Sequence, residues 1–136
     1  MRRLLSNVNS NVDPTIDRGV HMDVKIGVSE KNPDIKVVIL SGRLDVESSE
    51  KLSPTFFQAV EESPAGIIFD MGGVVFISSA GLRALLITYK QADASDKKIA
   101  LIHTQSQVYK IFKVAALDDV FNIFEDEEQA IKALWK

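Results

Sequence analysis

Two serines, Ser78 and Ser79, stand between a short apolar run, Val74–Ile77, and Gly81. After them Leu82, Leu85, Leu86 and Tyr89 recur at spacings of three, four and seven residues, the period of one helix face. A strand that passes into a helix through serines places a hydroxyl where the first helical amides have no partner inside the helix. Such a hydroxyl has two uses. It can cap the helix. It can also carry a phosphate, held by the free amides at the positive end of the helix dipole. On local chemistry alone capping is favoured, and either serine can supply it. Neither has a neighbouring His or Lys in the sequence to draw off its proton, so a hydrolytic nucleophile is a poor reading. A phosphoryl group received from another protein's active site would add about −1.5 to −2 charges. Its effect would fall on whatever binds over the helix start.

Other chemistry is sparse. His21 and His103 have no ligand-like spacing, and His103 ends an apolar strand. The Gly-x-Ser-x-Gly elbow, the Gly-Lys-Ser/Thr of a phosphate loop and Gly-x-Gly-x-x-Gly are all missing. Gly72-Gly73 with Ser79 is therefore a faint hint of a nucleotide site and nothing more. Asp45 and Asp70 are loop carboxylates able to approach each other, although turn and cap roles are commoner for such residues. Glu125–Glu128 reads as the solvated, acidic start of a helix. With no cysteine, disulfides, thiolate chemistry and Cys-based zinc sites are excluded. No metal or cofactor is expected.

These residues need a scaffold, and 136 residues are enough for one domain with a real core. Apolar residues at 46% and charged residues at 26% describe an ordinary globular chain. A net charge of −3 and the lack of any Lys/Arg run argue against a nucleic-acid partner. No apolar run reaches the roughly 18 residues of a membrane span. Arg2-Arg3-Leu4-Leu5 resembles the start of a signal peptide, but its apolar part ends at Ser6-Asn7. The expectation is a cytoplasmic protein that does not meet a membrane.

Residues 1–20 are rich in Asn, Ser and Asp and read as a flexible extension, or as a segment ordered only by a neighbour. The domain is expected to span residues 21–136. Val24, Ile26 and Val28 alternate with polar residues and predict a half-exposed strand. Ile35–Leu40 predicts its hairpin partner across a turn at Lys31–Asp34, and Ser41–Asp45 a loop. Ser53-Pro54 suits an N-cap and first helical position, which predicts a short turn near Ser48–Leu52 and then a helix from Pro54 to about Glu62. Gly66–Asp70 predicts a buried strand, Met71–Gly73 a turn, and Val74–Ile77 a short extended piece. A helix over 79–94, a strand over 98–103, a helix over 105–116, a short strand at 121–124 and a closing helix over 126–135 complete the chain. The class is α/β: a small mixed sheet, made of an N-terminal hairpin and parallel strands, with helices packed mainly on one face.

Two motifs together carry a resemblance. Leu40-Ser41-Gly42-Arg43-Leu44-Asp45 is similar to the Leu-x-Gly-x-Leu-Asp stretch of the STAS domain. Ile67–Asp70 follows, and then Phe76-Ile77-Ser78-Ser79-Ala80-Gly81-Leu82 is similar to that family's Asp-Ser-Ser-Gly-Leu turn. Val108–Phe112 with Leu117 resembles its penultimate helix. The chain thus resembles, over about residues 22–136, the stand-alone anti-sigma factor antagonists of bacteria. The resemblance implies a binding protein, not an enzyme. Its partner would be an anti-sigma factor that is also a serine kinase, bound while the antagonist is unphosphorylated and released on phosphorylation. A phosphatase would reset the switch, and ATP and Mg²⁺ would belong to the kinase. The implied phosphoacceptor is Ser79, two residues before Gly81, in a loop with Ser78, Ala80 and Gly81. Ser78 stands where the family often has Asp, and is a minor rival acceptor. Ala80 is small enough for a first helical turn. Gly42, Arg43, Asp45 and Arg83 are the expected partner-binding residues, in a monomer or weak dimer. The competing expectation is an unswitched STAS subunit of a transporter or scaffold complex.

Overall fold

The structure, a computed structural model, describes residues 22–135; the proposed N-terminal extension lies outside them. Nine elements follow in order: β1 (Asp23–Val28), β2 (Ile35–Leu44), α1 (Val46–Glu62), β3 (Gly66–Ile77), α2 (Ser79–Ala94), β4 (Lys98–Ile102), α3 (Ser106–Val114), β5 (Asn122–Phe124) and α4 (Glu127–Leu134). The strands form one sheet in the order β1-β2-β3-β4-β5. β1 and β2 make the expected antiparallel hairpin, and the other neighbours run parallel.

This order decides where the helices go. Each parallel neighbour is reached by a crossover, and right-handed crossovers taken in one direction put every connecting helix on the same face. Accordingly α1, α2 and α3 bury one core against the sheet, with Leu52, Phe56, Leu82, Leu85, Val108 and Phe112 facing Val38, Leu40, Phe69 and Leu101. Phe56 meets Phe69 edge to face at 5.0 Å between ring centroids. α4 follows the last strand and closes part of the opposite face, where Ala130 packs with Ile35, Ile68, Ala100 and Ile102. The Ile67-Ile68-Phe69 run is buried because both faces of β3 are covered.

Three boundaries differ from the sequence-based expectation. β2 does not end at Leu40: it runs to Leu44, so Gly42 and Arg43 belong to a strand rather than a loop. β3 likewise runs through Met71-Gly72-Gly73. The two strands continue together, and the surplus residues of β3 are absorbed as irregularities between Ile39 and Ser41 and between Gly42 and Arg43. Gly42 sits there at φ 117°, a conformation that L side chains rarely adopt. Finally, α1 is a single helix with Pro54 inside it. Its start is capped by Asp45, not Ser53. The proline removes one ladder bond at a typical cost of about 3 kcal/mol, which burial of Leu52, Phe56, Ala59 and Val60 on one side offsets.

Candidate functional site

Two helices start side by side at the carboxyl end of β2 and β3. At the first, the Asp45 carboxylate accepts the Ser48 N–H at 3.1 Å, while the Asp45 N–H donates to the Ser48 hydroxyl at 2.9 Å. The Ser48 hydroxyl in turn donates to the Arg43 carbonyl at 2.7 Å. This is a complete capping box. It holds the Asp45 carboxyl below the usual Asp range, chiefly through the Ser48 N–H; burial opposes this, and the Ser48 hydroxyl and the Arg43 charge add to it.

At the second start, Ser78 is the N-cap. Its hydroxyl accepts the Gly81 N–H at 3.2 Å and donates to the Leu44 carbonyl at 3.4 Å. Its own N–H donates to the same carbonyl at 3.0 Å. The capping role left open between the two serines thus falls to Ser78 alone. Ser79 is the first helical residue and is exposed, and its hydroxyl has no hydrogen-bond partner among the described residues. Ser78 also takes the Leu82 N–H through its carbonyl, at 2.9 Å. The Ser79 and Ala80 amides remain, within the described part, for another acceptor. No acidic residue lies in the first turn of α2.

Leu44 joins the two motifs. A side chain at Gly81 would place a Cβ 2.5 Å from the Leu44 carbonyl oxygen and 2.8 Å from an Ile77 methylene. Only glycine lets the first turn of α2 sit this close to β2, so Gly81 sets the position of Ser79. Arg43 lies over the Phe76 ring at 4.2 Å from guanidinium to centroid, and its Nε is 3.9 Å from Asp45. Phe76 was not singled out from the sequence: the surplus residue of β3 shifts its alternation and brings it opposite Arg43. Arg83 is exposed one turn beyond Ser79, on the same side of α2 by helical spacing.

Asp45 and Asp70 do not form a carboxylate pair. Asp70 lies opposite Ile39, six residues before Asp45 on the neighbouring strand. Its carboxylate accepts the Gly72 N–H at 3.0 Å and sits 3.1 Å from His103 Nδ1. Each acid holds local backbone, Asp45 at a helix start and Asp70 at a strand bend. No group of three or more His, Cys, Asp or Glu residues suited to a metal occurs among the described residues. No helix among them is long and apolar enough to cross a membrane.

The STAS domain family model matches residues 28–130, and the chain belongs to that family. The anti-sigma-F factor antagonist RsfB of Mycobacterium tuberculosis is 22% identical over 108 residues, covering 79% of this chain and 87% of that one. The crystal structure of an anti-sigma factor antagonist from Mycobacterium paratuberculosis superposes with a TM-score of 0.74 at 20% identity, over 85% of this chain and 95% of that one. The fold also recurs within a much larger protein, the murine Solute Carrier 26 family member A9 anion transporter. There the TM-score is 0.67 at 16% identity, over 85% of this chain and 22% of the transporter.

Proposed function

We propose that the protein is a phosphorylation-switched anti-sigma factor antagonist, and that Ser79 is its phosphoacceptor. One observation carries this reading: the two serines divide the work at the start of α2. Ser78 is committed to the cap and to Leu44, so Ser79 can be modified without removing a bond that positions the helix. The kinase partner would move the γ-phosphoryl group of ATP to the Ser79 oxygen; the hydroxyl proton goes to the kinase's base and ADP leaves. The product phosphate finds the Ser79 and Ala80 amides and the positive end of the α2 dipole. Ser78 supplies the hydrogen bond that an Asp would supply in its place, so the departure from the family pattern leaves the turn intact.

The bound surface runs from Gly42, Arg43 and Asp45 to Ser79 and Arg83. A partner fitted there around a neutral hydroxyl meets roughly two negative charges after phosphorylation. Mispaired charge at an interface costs about 2–5 kcal/mol. Affinity capture from the source cells tests the proposal. Wild-type and Ser79→Ala baits should both retain a serine kinase that Ser79→Asp does not. Equal capture by all three baits favours the second reading, an unswitched STAS subunit, which the transporter likeness supports at the level of fold.

A further inference from the structure

The two borders of the sheet differ. β5, at one border, has only three residues, all half-buried. β1, at the other, has six, and no described element pairs with its outer side. An unpaired border strand is a template for another chain unless charge, proline or a covering element blunts it. β1 holds no proline and one lysine, Lys25.

The ladder with β2 shows which groups are open. The Ser29 N–H donates to the Ile35 carbonyl at 2.9 Å, one step beyond Val28 opposite Lys36. Antiparallel ladders alternate bonded and non-bonded pairs. Gly27, Lys25 and Asp23 therefore turn their backbone groups toward β2, and Val24, Ile26 and Val28 turn theirs outward. The side chains sort in the same way. Val24 packs against the helix-covered core, and Ile26, opposite Val38 on that side, is 43% exposed. Asp23 and Lys25 are exposed on the other side and form no ion pair among the described residues.

Charge selects both the occupant and the register. Two β1 strands set antiparallel about Val24 put Asp23 of each copy opposite Lys25 of the other. Met22 then faces Ile26 of the second copy, and Val24 exchanges both backbone bonds with its counterpart. Centred on Lys25 instead, the two lysines would meet, and like charges directly opposite are destabilising. Centred on Ile26, Lys25 would face Gly27 and the opposite-charge pairs would be lost. We propose that two copies of the chain join through β1 in the register centred on Val24, as one continuous sheet. The pairing of β1 with β2 ends at Ser41, so Gly42–Asp45 and the start of α2 stay clear of the junction. The inference does not rest on Ser79.

Sedimentation equilibrium of the full chain over a concentration series tests it. A reversible step from the chain mass of 15.1 kDa to twice that mass is expected. Asp23→Lys and Lys25→Asp should each weaken association about tenfold, because two opposite-charge pairs become like-charge pairs. The double variant Asp23→Lys/Lys25→Asp should restore it. Both side chains are exposed, so far-UV circular dichroism should not change. A single chain mass up to about 1 mM overturns the proposal. So does a dimer that both reversals leave unaltered, which places the contact elsewhere. A dimer that the double variant fails to restore rejects the register and overturns it too. A monomer whose Val24 and Ile26 amides resist hydrogen exchange assigns the border to another stretch of the same chain and overturns it as well.

Discussion

The starts of α1 and α2 lie side by side and are finished in opposite ways. α1 is closed by a carboxylate, Asp45, in a reciprocal bond with Ser48, and has Glu47 in its first turn. Negative charge there already answers the helix dipole. α2 is closed by a neutral hydroxyl, has no acid in its first turn, and shows Ser79 at the surface. Each cap leaves two first-turn amides without a partner among the described residues, those of Val46 and Glu47 at α1 and of Ser79 and Ala80 at α2, so the difference is one of charge: a second negative group meets Asp45 and Glu47 at α1 and no acid at α2. The contrast teaches that the room for an added negative charge is set by the charge each helix start already carries. α3 also starts without an acid, and Ser106 is its exposed first residue. It has no counterpart of Ser78, since Gln105 makes no capping bond and instead donates to the Gly72 carbonyl at 2.7 Å.

The largest expected effect separates the two starts by partner binding. Ser79→Asp should weaken binding of the proposed kinase partner by roughly 30-fold or more, from about 2 kcal/mol upward. Glu47→Gln, at the α1 start, should change it by less than about threefold, because a border charge is worth little. Calorimetric titration of both variants reads this directly. Equal losses would dissolve the distinction.

The next effect is on stability. Gly81→Ala forces a Cβ toward the Leu44 oxygen at 2.5 Å, and overpacking of this kind costs about 1–3 kcal/mol. The melting temperature should fall by several degrees. Removing a cap should cost less, about 1 kcal/mol for either Ser78→Ala or Asp45→Ala. Ser78→Asp should restore or slightly raise stability, since a carboxylate there both caps and meets the dipole.

Acid should tell the two starts apart. The Asp45 carboxyl is held below its usual range in the folded chain. Its contribution is therefore complete above the ordinary Asp value of about 3.9 and is lost as pH falls through the lower folded value. The Ser48 amide should lose protection on that descent before the Gly81 amide, whose acceptor does not titrate. Asp45→Asn should remove the difference. The smallest effect concerns Arg43: replacing it with Ala removes a half-exposed cation–π contact worth about 0.5–1 kcal/mol.

Most of the fold was legible because its signals are local. Alternation in β1, the apolar run of β3 and the helical spacing after Ser79 each mark their element without help from the rest of the chain. The lengths of β2 and β3 were not legible. Gly72-Gly73 carries turn chemistry, and only the extension of β2 beside it keeps β3 in the sheet. Pro54 misled for a similar reason, since its local preference for a helix start yields to the Asp45–Ser48 capping box upstream and to the burial of Leu52. At the site, the serines and Gly81 announced a helix start. Which serine caps was decided by the Leu44 carbonyl, 34 residues away in the chain. The Arg43–Phe76 stack depends on a strand irregularity and had no sequence signal.

The most direct test of the central claim is phosphopeptide mapping. The full chain is incubated with the proposed kinase partner and ATP, digested, and sequenced by tandem mass spectrometry. A single phosphate on Ser79, abolished by Ser79→Ala and retained in Ser78→Ala, is the predicted result. Phosphate on Ser78 or Ser106, or no phosphate while the kinase modifies another substrate, would contradict it.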